Sequence, residues 1–292
     1  MPKHKKANFI PYLFILPFMI SFLVFFLFPL LYSLVLSFFE YHGYGEAKWV
    51  GFKNYTTLFQ YGTFWQSVRN TLFYYILYVI PLMVVAFLLA LLLSEKILDR
   101  FRSIYKPLIF LPQIIPVVAS SLIFKILFST RSGAINQMLG TQVPFLENPQ
   151  YMRWIVLILM IWRGIGWYMV IYSAGLTSVS SEVREAARID GANYFQQVIY
   201  VIVPMMKPIF LFAFITNSIN TFKLYTEPTV LLEQAGGVVD QSATPIMYLL
   251  VQNISSGNFG TASAVGWFIF IVIILITLVQ FTLINGKGEQ DA

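Results

Sequence analysis

Six long apolar runs, separated by shorter polar stretches, dominate the sequence. Crossing about 30 Å of hydrocarbon takes roughly 20 residues of α-helix, and each of the six runs reaches that length. They lie at residues 12–37, 70–94, 107–128, 152–174, 208–232 and 261–284. The pattern therefore predicts an all-α, polytopic membrane protein with six transmembrane helices.

Composition supports this prediction and excludes several kinds of site. The chain is 58% hydrophobic and only 11% charged, with a mean hydropathy of +0.72, which is typical of a membrane-embedded protein. It has no cysteine, so disulfides, cysteine-ligated metals and thiol nucleophiles are excluded. His4 and His42 are isolated in polar segments, and we expect no metal site. The formal charge of +6 comes from only 19 Lys and Arg, and we expect no nucleic-acid partner.

The distribution of the cations predicts the orientation in the membrane. Short loops rich in Lys and Arg stay in the cytoplasm. Alternate loops and the two ends carry most of the cations: Lys3, Lys5, Lys6, Lys96, Arg100, Arg102, Lys106, Arg184, Arg188, Lys207 and Lys287. Both termini are therefore predicted to be cytoplasmic. The first run is too long for the apolar region of a signal peptide and has no obvious cleavage site, so we interpret it as a retained helix.

One compact charged segment, residues 181–204, interrupts the apolar pattern between the fourth and fifth runs. Ser181 is suited to an N-cap, and Gly191 can adopt the left-handed conformation that ends a helix. Asn193 and Gln196 have the spacing of a second cap. The segment therefore predicts a helix, a turn and a second helix. An amphipathic loop lying on the bilayer surface is the alternative, although such loops usually expose a basic face, whereas acidic residues offset the arginines here.

The same segment carries a family resemblance. Glu185-Ala186-Ala187, Gly191 and the run Val201-Ile202-Val203-Pro204 resemble the EAA loop of ABC importer permeases, with Val in place of the usual Ile and Leu. Stretches such as "GFKNYTTLF" and "FLPQIIPVVASSLIFKILF" are similar to the maltose-type, carbohydrate-uptake branch. The resemblance covers nearly the whole chain apart from its polar ends.

The resemblance implies a domain organisation and a set of partners. Residues 1–292 would form a single ABC-transporter transmembrane domain, with a core permease region at about 70–285 and a cytoplasmic EAA loop at 175–207. This loop would form a coupling helix that docks on a cytoplasmic ATPase. The implied partners are a second homologous permease, two ATPase subunits and an extracytoplasmic solute-binding protein, in a bacterial inner membrane. The coupling residues would be Glu185, Ala186, Ala187, Asp190 and Gly191.

The chain has no phosphate-binding loop of its own. The sequence G-x-x-x-x-G-K-[ST] does not occur, and the pair Gly286-Lys287 lies in the terminal tail without the rest of the motif. We therefore expect a transport subunit rather than an enzyme, with no cofactor in this chain and with ATP and Mg²⁺ bound by the partner subunits.

Polar residues within the apolar runs are candidates for substrate contact, because such residues are costly in lipid and usually face a cavity or a partner. Thr216, Asn220, Lys223 and Glu227 lie at helical spacings of four, three and four, so they are predicted to share one helix face. Aromatic rings beside amides and hydroxyls suit a sugar. By similarity to the maltose permease, the sugar-binding positions would be Trp162, Arg163, Gly164, Trp167, Thr216, Ile219, Asn220 and Lys223.

Two of these positions depart from the maltose permease. Arg163 and Lys223 are cations where that permease has uncharged residues. They indicate an acidic sugar or a phosphate such as glycerol phosphate, or else pair with Glu227 or with a partner subunit. Two other protein classes also remain open: a secondary transporter that couples to an ion gradient, and a polytopic membrane enzyme.

Overall fold

The computed structural model describes residues 10–94, 99–233 and 239–285, and helices account for most of them. Of the predicted inward-facing cations, Lys3, Lys5, Lys6, Lys96 and Lys287 lie outside the described residues. So do His4 and the Gly286-Lys287 pair. The side chains of Arg100 and Arg102 are likewise not described.

The described helices, in chain order, are α1 (Ile10–Phe22), α2 (Phe28–Leu36), α3 (Lys53–Gln60), α4 (Gly62–Leu92), α5 (Asp99–Ile114), α6 (Val117–Leu127), α7 (Ala134–Leu139), α8 (Pro149–Leu176), α9 (Ser181–Ile189), α10 (Tyr194–Gln197), α11 (Val203–Met205), α12 (Lys207–Phe222), α13 (Thr226–Leu232), α14 (Ile246–Ser255) and α15 (Phe259–Asn285). Two π-helical turns, Leu23–Leu27 and Val198–Ile202, continue the helical path between neighbouring helices. The strands β1 (Phe39–Glu40) and β2 (Lys48–Trp49) form a short antiparallel pair.

Four helical segments in the described part of the chain are long and apolar enough to cross a membrane, or six if each of two bent pairs is counted as one span. The unbroken segments are Tyr12–Leu36, Gly62–Leu92, Pro149–Leu176 and Phe259–Ile284. The bent pairs are Ser103–Ile114 with Val117–Leu127, at 92°, and Tyr194–Met205 with Lys207–Leu232, at 71°. The all-α, polytopic class predicted from the sequence agrees with this architecture.

The third apolar run is not one straight helix. Proline has no N–H to donate and disfavours the helical conformation of the residue before it. Pro116 follows Ile115 in the sequence "QIIPVV", α5 ends at Ile114, and Pro116 caps α6 with φ −51° and ψ 135°, outside the helical region. The sharp turn between α5 and α6 therefore lies at this proline.

The fifth run is interrupted as well, so the prediction that Thr216, Asn220, Lys223 and Glu227 share one continuous helix face is wrong. Helix α12 ends at Phe222, and α13 begins at Thr226. In an unbroken helix the ring of Pro228 would clash with the carbonyl of Leu224, four residues earlier. As the third residue of α13, Pro228 occupies a position whose N–H would have no helical partner.

The described residues fall into two compact units, and the larger comprises 62–249 and 269–285. Its core lies between α4 and α8, with fully buried side chains such as Tyr74, Leu82, Met152, Met169 and Tyr172. Glycine allows α8 to approach α5 closely: a Cβ on Gly166 would lie 2.3 Å from the carbonyl oxygen of Ile109.

Buried side-chain amides hold other segments of the larger unit in place through hydrogen bonds. The Asn70 amide donates to the carbonyls of Ser242 and Thr244, at 2.9 and 3.0 Å, and so fixes the chain that precedes α14. The Gln280 amide on α15 donates to Tyr75 on α4 and Ser218 on α12, at 2.9 and 2.6 Å. Hydrogen bonds of this kind join helices inside a bilayer.

The smaller unit comprises 10–61 and 250–268 among the described residues. Asn54 on α3 donates to the carbonyls of Ser37 and Phe39, at 2.8 and 2.9 Å. The indole of Trp267 donates to Ser33, at 3.2 Å. The prediction of a single transmembrane domain over 1–292 stays a prediction.

Candidate functional site

A cavity of about 530 Å³ opens among α4, α5, α6, α8, α12 and α13, within the larger unit. Its volume lies in the range of small-molecule sites. Aromatic, amide and charged groups face it together. The lining residues are Tyr78, Gln113, Val117, Met160, Arg163, Gly164, Trp167, Tyr168, Asn220, Thr221, Lys223, Leu224, Thr226 and Glu227.

An ion pair forms one wall of this cavity. Nη1 of Arg163, on α8, lies 3.0 Å from Oε1 of Glu227, in the first turn of α13. Nη2 of Arg163 donates to the carbonyl of Ile115, at 3.4 Å. The side chains are only 14% and 17% exposed. One guanidinium thus links the α5–α6 turn to the start of α13, where the positive end of the helix dipole also favours Glu227.

The second cation of the cavity has a different environment. Lys223 is the C-terminal cap of α12 and its side chain is exposed to the cavity. In the described part of the chain, no carboxylate pairs with its ammonium group and no acceptor binds it. Among the described residues, two cations and one anion line the cavity, so one positive charge is left without a described counter-ion.

The structure brings together five of the eight positions predicted to contact substrate: Arg163, Gly164, Trp167, Asn220 and Lys223. The other three, Trp162, Thr216 and Ile219, are not among the lining residues.

Two of those three have identifiable partners. The Trp162 ring packs on Phe124, at 5.4 Å between centroids. The Thr216 hydroxyl donates to the carbonyl of Phe212, at 2.8 Å. All eight assignments stay predictions.

Gly164 combines cavity lining with close packing. A Cβ there would lie 2.2 Å from the hydroxyl oxygen of Tyr78. The glycine therefore allows the Tyr78 ring to reach the cavity wall.

Sequence reasoning assigned no role to five polar lining residues: Tyr78 on α4, Gln113 on α5, Tyr168 on α8, Thr221 on α12 and Thr226 on α13. The hydroxyl of Tyr168 interacts with the side chains of Asn220 and Thr216. Tyr168 follows the predicted Trp167 directly, but a tyrosine in an apolar run gives no signal by itself. Tyr78 and Gln113 reach the cavity only through tertiary packing.

The predicted coupling residues lie on a short helix with well-defined ends. Helix α9 begins at Ser181 and is capped by Ser180, one residue earlier than predicted, whose hydroxyl accepts from the N–H of Val183 at 3.3 Å. Gly191, at φ +86°, follows the C-cap Asp190. The N–H of Gly191 bonds to the carbonyl of Arg188 and that of Ala192 to Ala187, which is the Schellman arrangement.

The next helix is fixed by a capping box, as the sequence predicted. The Asn193 side chain accepts from the N–H of Gln196, at 2.9 Å, and the Gln196 side chain accepts from the N–H of Asn193, at 2.8 Å. The buried Gln197 amide donates to the carbonyl of Ala192, at 2.9 Å. With their backbone groups satisfied in this way, residues 180–197 form a stiff segment.

The same segment exposes apolar as well as charged side chains. Glu185, Ala186 and Asp190 are exposed and Ala187 is half-buried. Ile189 is 82% exposed and Phe195 is 70% exposed. A mixed apolar and charged surface of this kind is suited to a protein partner.

Within 10–94, 99–233 and 239–285, no three His, Asp or Glu side chains cluster closely enough to hold a metal ion.

Relatives with curated names match almost the entire chain. The arabinooligosaccharides transport system permease protein AraP of Bacillus subtilis is 32% identical over 98% of this chain and 91% of its own length. The lactose transport system permease protein LacF of Rhizobium radiobacter is 30% identical over 92% of each chain.

A solved structure has the same fold. A chain of a bacterial ABC transporter that imports the acidic polysaccharide alginate superposes with a TM-score of 0.81 at 24% identity, over 96% of each chain.

The family model named binding-protein-dependent transport system inner membrane component matches residues 86–287. This match includes α8, the capped segment at 180–197 and both interrupted helices. The predicted localisation is thereby confirmed, since the chain has several apolar helices and matches an inner-membrane component over most of its length. The chain belongs to the family of binding-protein-dependent transport system inner membrane components, and it is a multi-pass protein of the bacterial inner membrane.

Proposed function

We propose that this chain is the permease subunit of an ATP-binding-cassette importer that moves a sugar, and specifically an oligosaccharide, into the cytoplasm. In this proposal separate subunits hydrolyse ATP, and this chain supplies half of the pathway. The names of the relatives support the class of substrate, because they include permeases for arabinooligosaccharides, lactose and starch degradation products.

The observation that carries the proposal is the cavity lined by Trp167, Tyr168, Asn220 and Gln113. Sugar rings pack their C–H faces on aromatic rings, and their hydroxyls exchange hydrogen bonds with amides. A volume of about 530 Å³ accommodates one or two sugar rings. We assign substrate contact to the predicted residues that line the cavity, and to Tyr168 and Gln113 in addition.

The proposed topology has six spans with both termini in the cytoplasm. The distribution of Lys and Arg along the whole sequence favours this orientation. Each bent pair then counts as one span, and the segment at 180–197 lies in the cytoplasm between the fourth and fifth.

The proposed mechanism couples this segment to ATP-driven closure of the ATPase subunits. Glu185, Ala186, Ala187, Asp190 and Gly191 would dock into an ATPase cleft, with Ile189 as an apolar anchor. Because the segment is capped at both ends, a displacement at the cleft moves it as one body. The connected helices α8 and α12 then move with it and change the access to the cavity.

The proposed complex also contains a second permease and an extracytoplasmic binding protein. A binding protein is part of the family name. The solved alginate transporter was crystallised with a pentasaccharide-bound periplasmic protein. ATP and Mg²⁺ are assigned to the ATPase subunits and not to this chain.

The test is sugar uptake by the complete complex, purified through this chain and reconstituted in proteoliposomes. We expect uptake that requires both ATP and the binding protein. Glu185→Lys and Gly191→Val should each lower uptake at least tenfold, while the complex still inserts and the ATPase subunits still hydrolyse ATP. Uptake driven by a proton or sodium gradient without nucleotide would overturn the proposal.

Gly140→Val is the matched control. Gly140 and Gly191 both have positive φ, at +63° and +86°, and no atom lies within 4 Å of a Cβ at either position. Valine therefore brings similar backbone strain, roughly 1–2 kcal/mol, to both. Because Gly140 lies outside the docking segment, the control should lose stability without uncoupling ATP hydrolysis from transport.

A further inference from the structure

Lys223 is the charged residue of the cavity lining whose ammonium group makes no ion pair or hydrogen bond with the described residues. Arg163 is committed to Glu227 and to the carbonyl of Ile115. By contrast, the described residues offer no partner to the Lys223 ammonium group, although it lines the cavity beside Asn220. An ionisable group inside a membrane region usually has a functional partner.

The helix end alone does not account for this lysine. A cation near the C-terminus of a helix gains a small stabilisation from the helix dipole, but the effect does not depend on a polar cavity. Lys223 lies one turn after Asn220, and Trp167 lines the same cavity. The ammonium group of Lys223 therefore lies beside an amide suited to a sugar hydroxyl, on Asn220, and a ring suited to a sugar face, on Trp167.

We propose that the substrate is an acidic sugar and that Lys223 binds its carboxylate. This inference rests on the proposed function. The ammonium group of lysine is a compact point charge that pairs with carboxylates and phosphates.

Charge matching favours a carboxylate over a phosphate. The described residues of this chain give the cavity one uncompensated positive charge, which matches the single negative charge of one uronic acid residue. A phosphate monoester carries about −1.5 to −2 at pH 7 and would exceed it. The glycerol phosphate alternative raised by the sequence is therefore disfavoured.

The experiment compares acidic oligosaccharides with their own neutral forms. The probes are disaccharides that carry one terminal galacturonate, glucuronate or mannuronate residue, each alongside its methyl ester, which keeps the ring and the linkage but removes the single charge. Uptake by the complete complex in proteoliposomes is measured at varied probe concentration. For at least one pair, we expect wild type to take up the acid with roughly a tenfold to hundredfold advantage in kcat/KM over the ester, the range given by one charge-assisted hydrogen bond.

Variants of Lys223 identify the residue responsible. In Lys223→Met the advantage of the acid over the ester should fall to about one, and Lys223→Arg should restore most of it. Lys53→Met is the control, because it removes a lysine that is not among the lining residues and whose exposed ammonium group lies 3.7 Å from Glu40. This control should keep the advantage of wild type.

Each other outcome overturns the inference in a distinguishable way. ATP-dependent uptake of neutral sugars with no advantage for any acid would refute the acidic substrate and leave the proposed function standing. Loss of complex assembly in Lys223→Met, with acid and ester uptake falling together, would show that the ammonium group pairs with another subunit. Uptake of no sugar at all would refute the proposed function and this inference with it.

Discussion

Removing one member of the Arg163–Glu227 pair should destabilise the larger unit far more than removing both. Breaking a buried ion pair by deleting one partner costs about 3–5 kcal/mol, because a charge is left without compensation, whereas replacing both by apolar residues is often neutral. The two side chains remain 14% and 17% exposed, so we expect the low end of this range. Glu227→Met should therefore cost about 3 kcal/mol.

Thermal unfolding of the purified protein in detergent measures this effect. At roughly 2–4 °C per kcal/mol for a unit of this size, Glu227→Met should lower the midpoint by about 6–12 °C. The double variant Arg163→Met with Glu227→Met should recover most of the loss. Glu227→Gln keeps the shape and an acceptor oxygen, and its midpoint should fall between those of wild type and Glu227→Met. Single variants that each shift the midpoint by less than about 2 °C, and that add in the double variant, would refute this reasoning.

Three further predictions concern stability. Gly166→Ala should cost at least about 2 kcal/mol, because its Cβ would lie 2.3 Å from the backbone of α5; Gly62→Ala, with no atom within 4 Å of its Cβ, should leave the unfolding midpoint nearly unchanged. Asn70→Ala should cost about 2 kcal/mol by leaving two carbonyls without their donor, and it should speed proteolysis between α13 and α14; an unchanged cleavage rate would contradict the fastening role. Gln280→Leu should cost about 1 kcal/mol, since it removes two hydrogen bonds between helices, and a double-mutant cycle with either hydroxyl partner would detect the coupling.

The sequence predicted the class of fold because apolar length is a direct consequence of membrane thickness. It did not predict that two of the runs are interrupted. Pro116 and Pro228 lie at or beside the interruptions, but Pro81, Pro107 and Pro112 lie inside α4 and α5, so a proline in an apolar run does not by itself mark a break. The expected continuous face of the fifth run was wrong because one helix ends at Phe222 and another begins at Thr226.

The candidate site was predictable where one helix carries neighbouring positions. Arg163, Gly164 and Trp167 are close in sequence, and all line the cavity. Tyr78 and Gln113 come from α4 and α5, and their contribution depends on how closely those helices approach α8. That approach depends on the small size of Gly164 and Gly166. The sequence indicates that these glycines allow close helix packing, but not which helices pack against them. From the sequence, either Arg163 or Lys223 could pair with Glu227. The structure shows that Arg163 forms this ion pair.

The proline at position 228 has a consequence for movement. Since its nitrogen carries no hydrogen, Pro228 could not bond to the carbonyl of Leu224 in a helix that joined α12 and α13. Lys223, Leu224 and Tyr225 lie outside both helices in this structure. These three residues are therefore the point at which a change in the angle between α12 and α13 breaks the fewest helical hydrogen bonds.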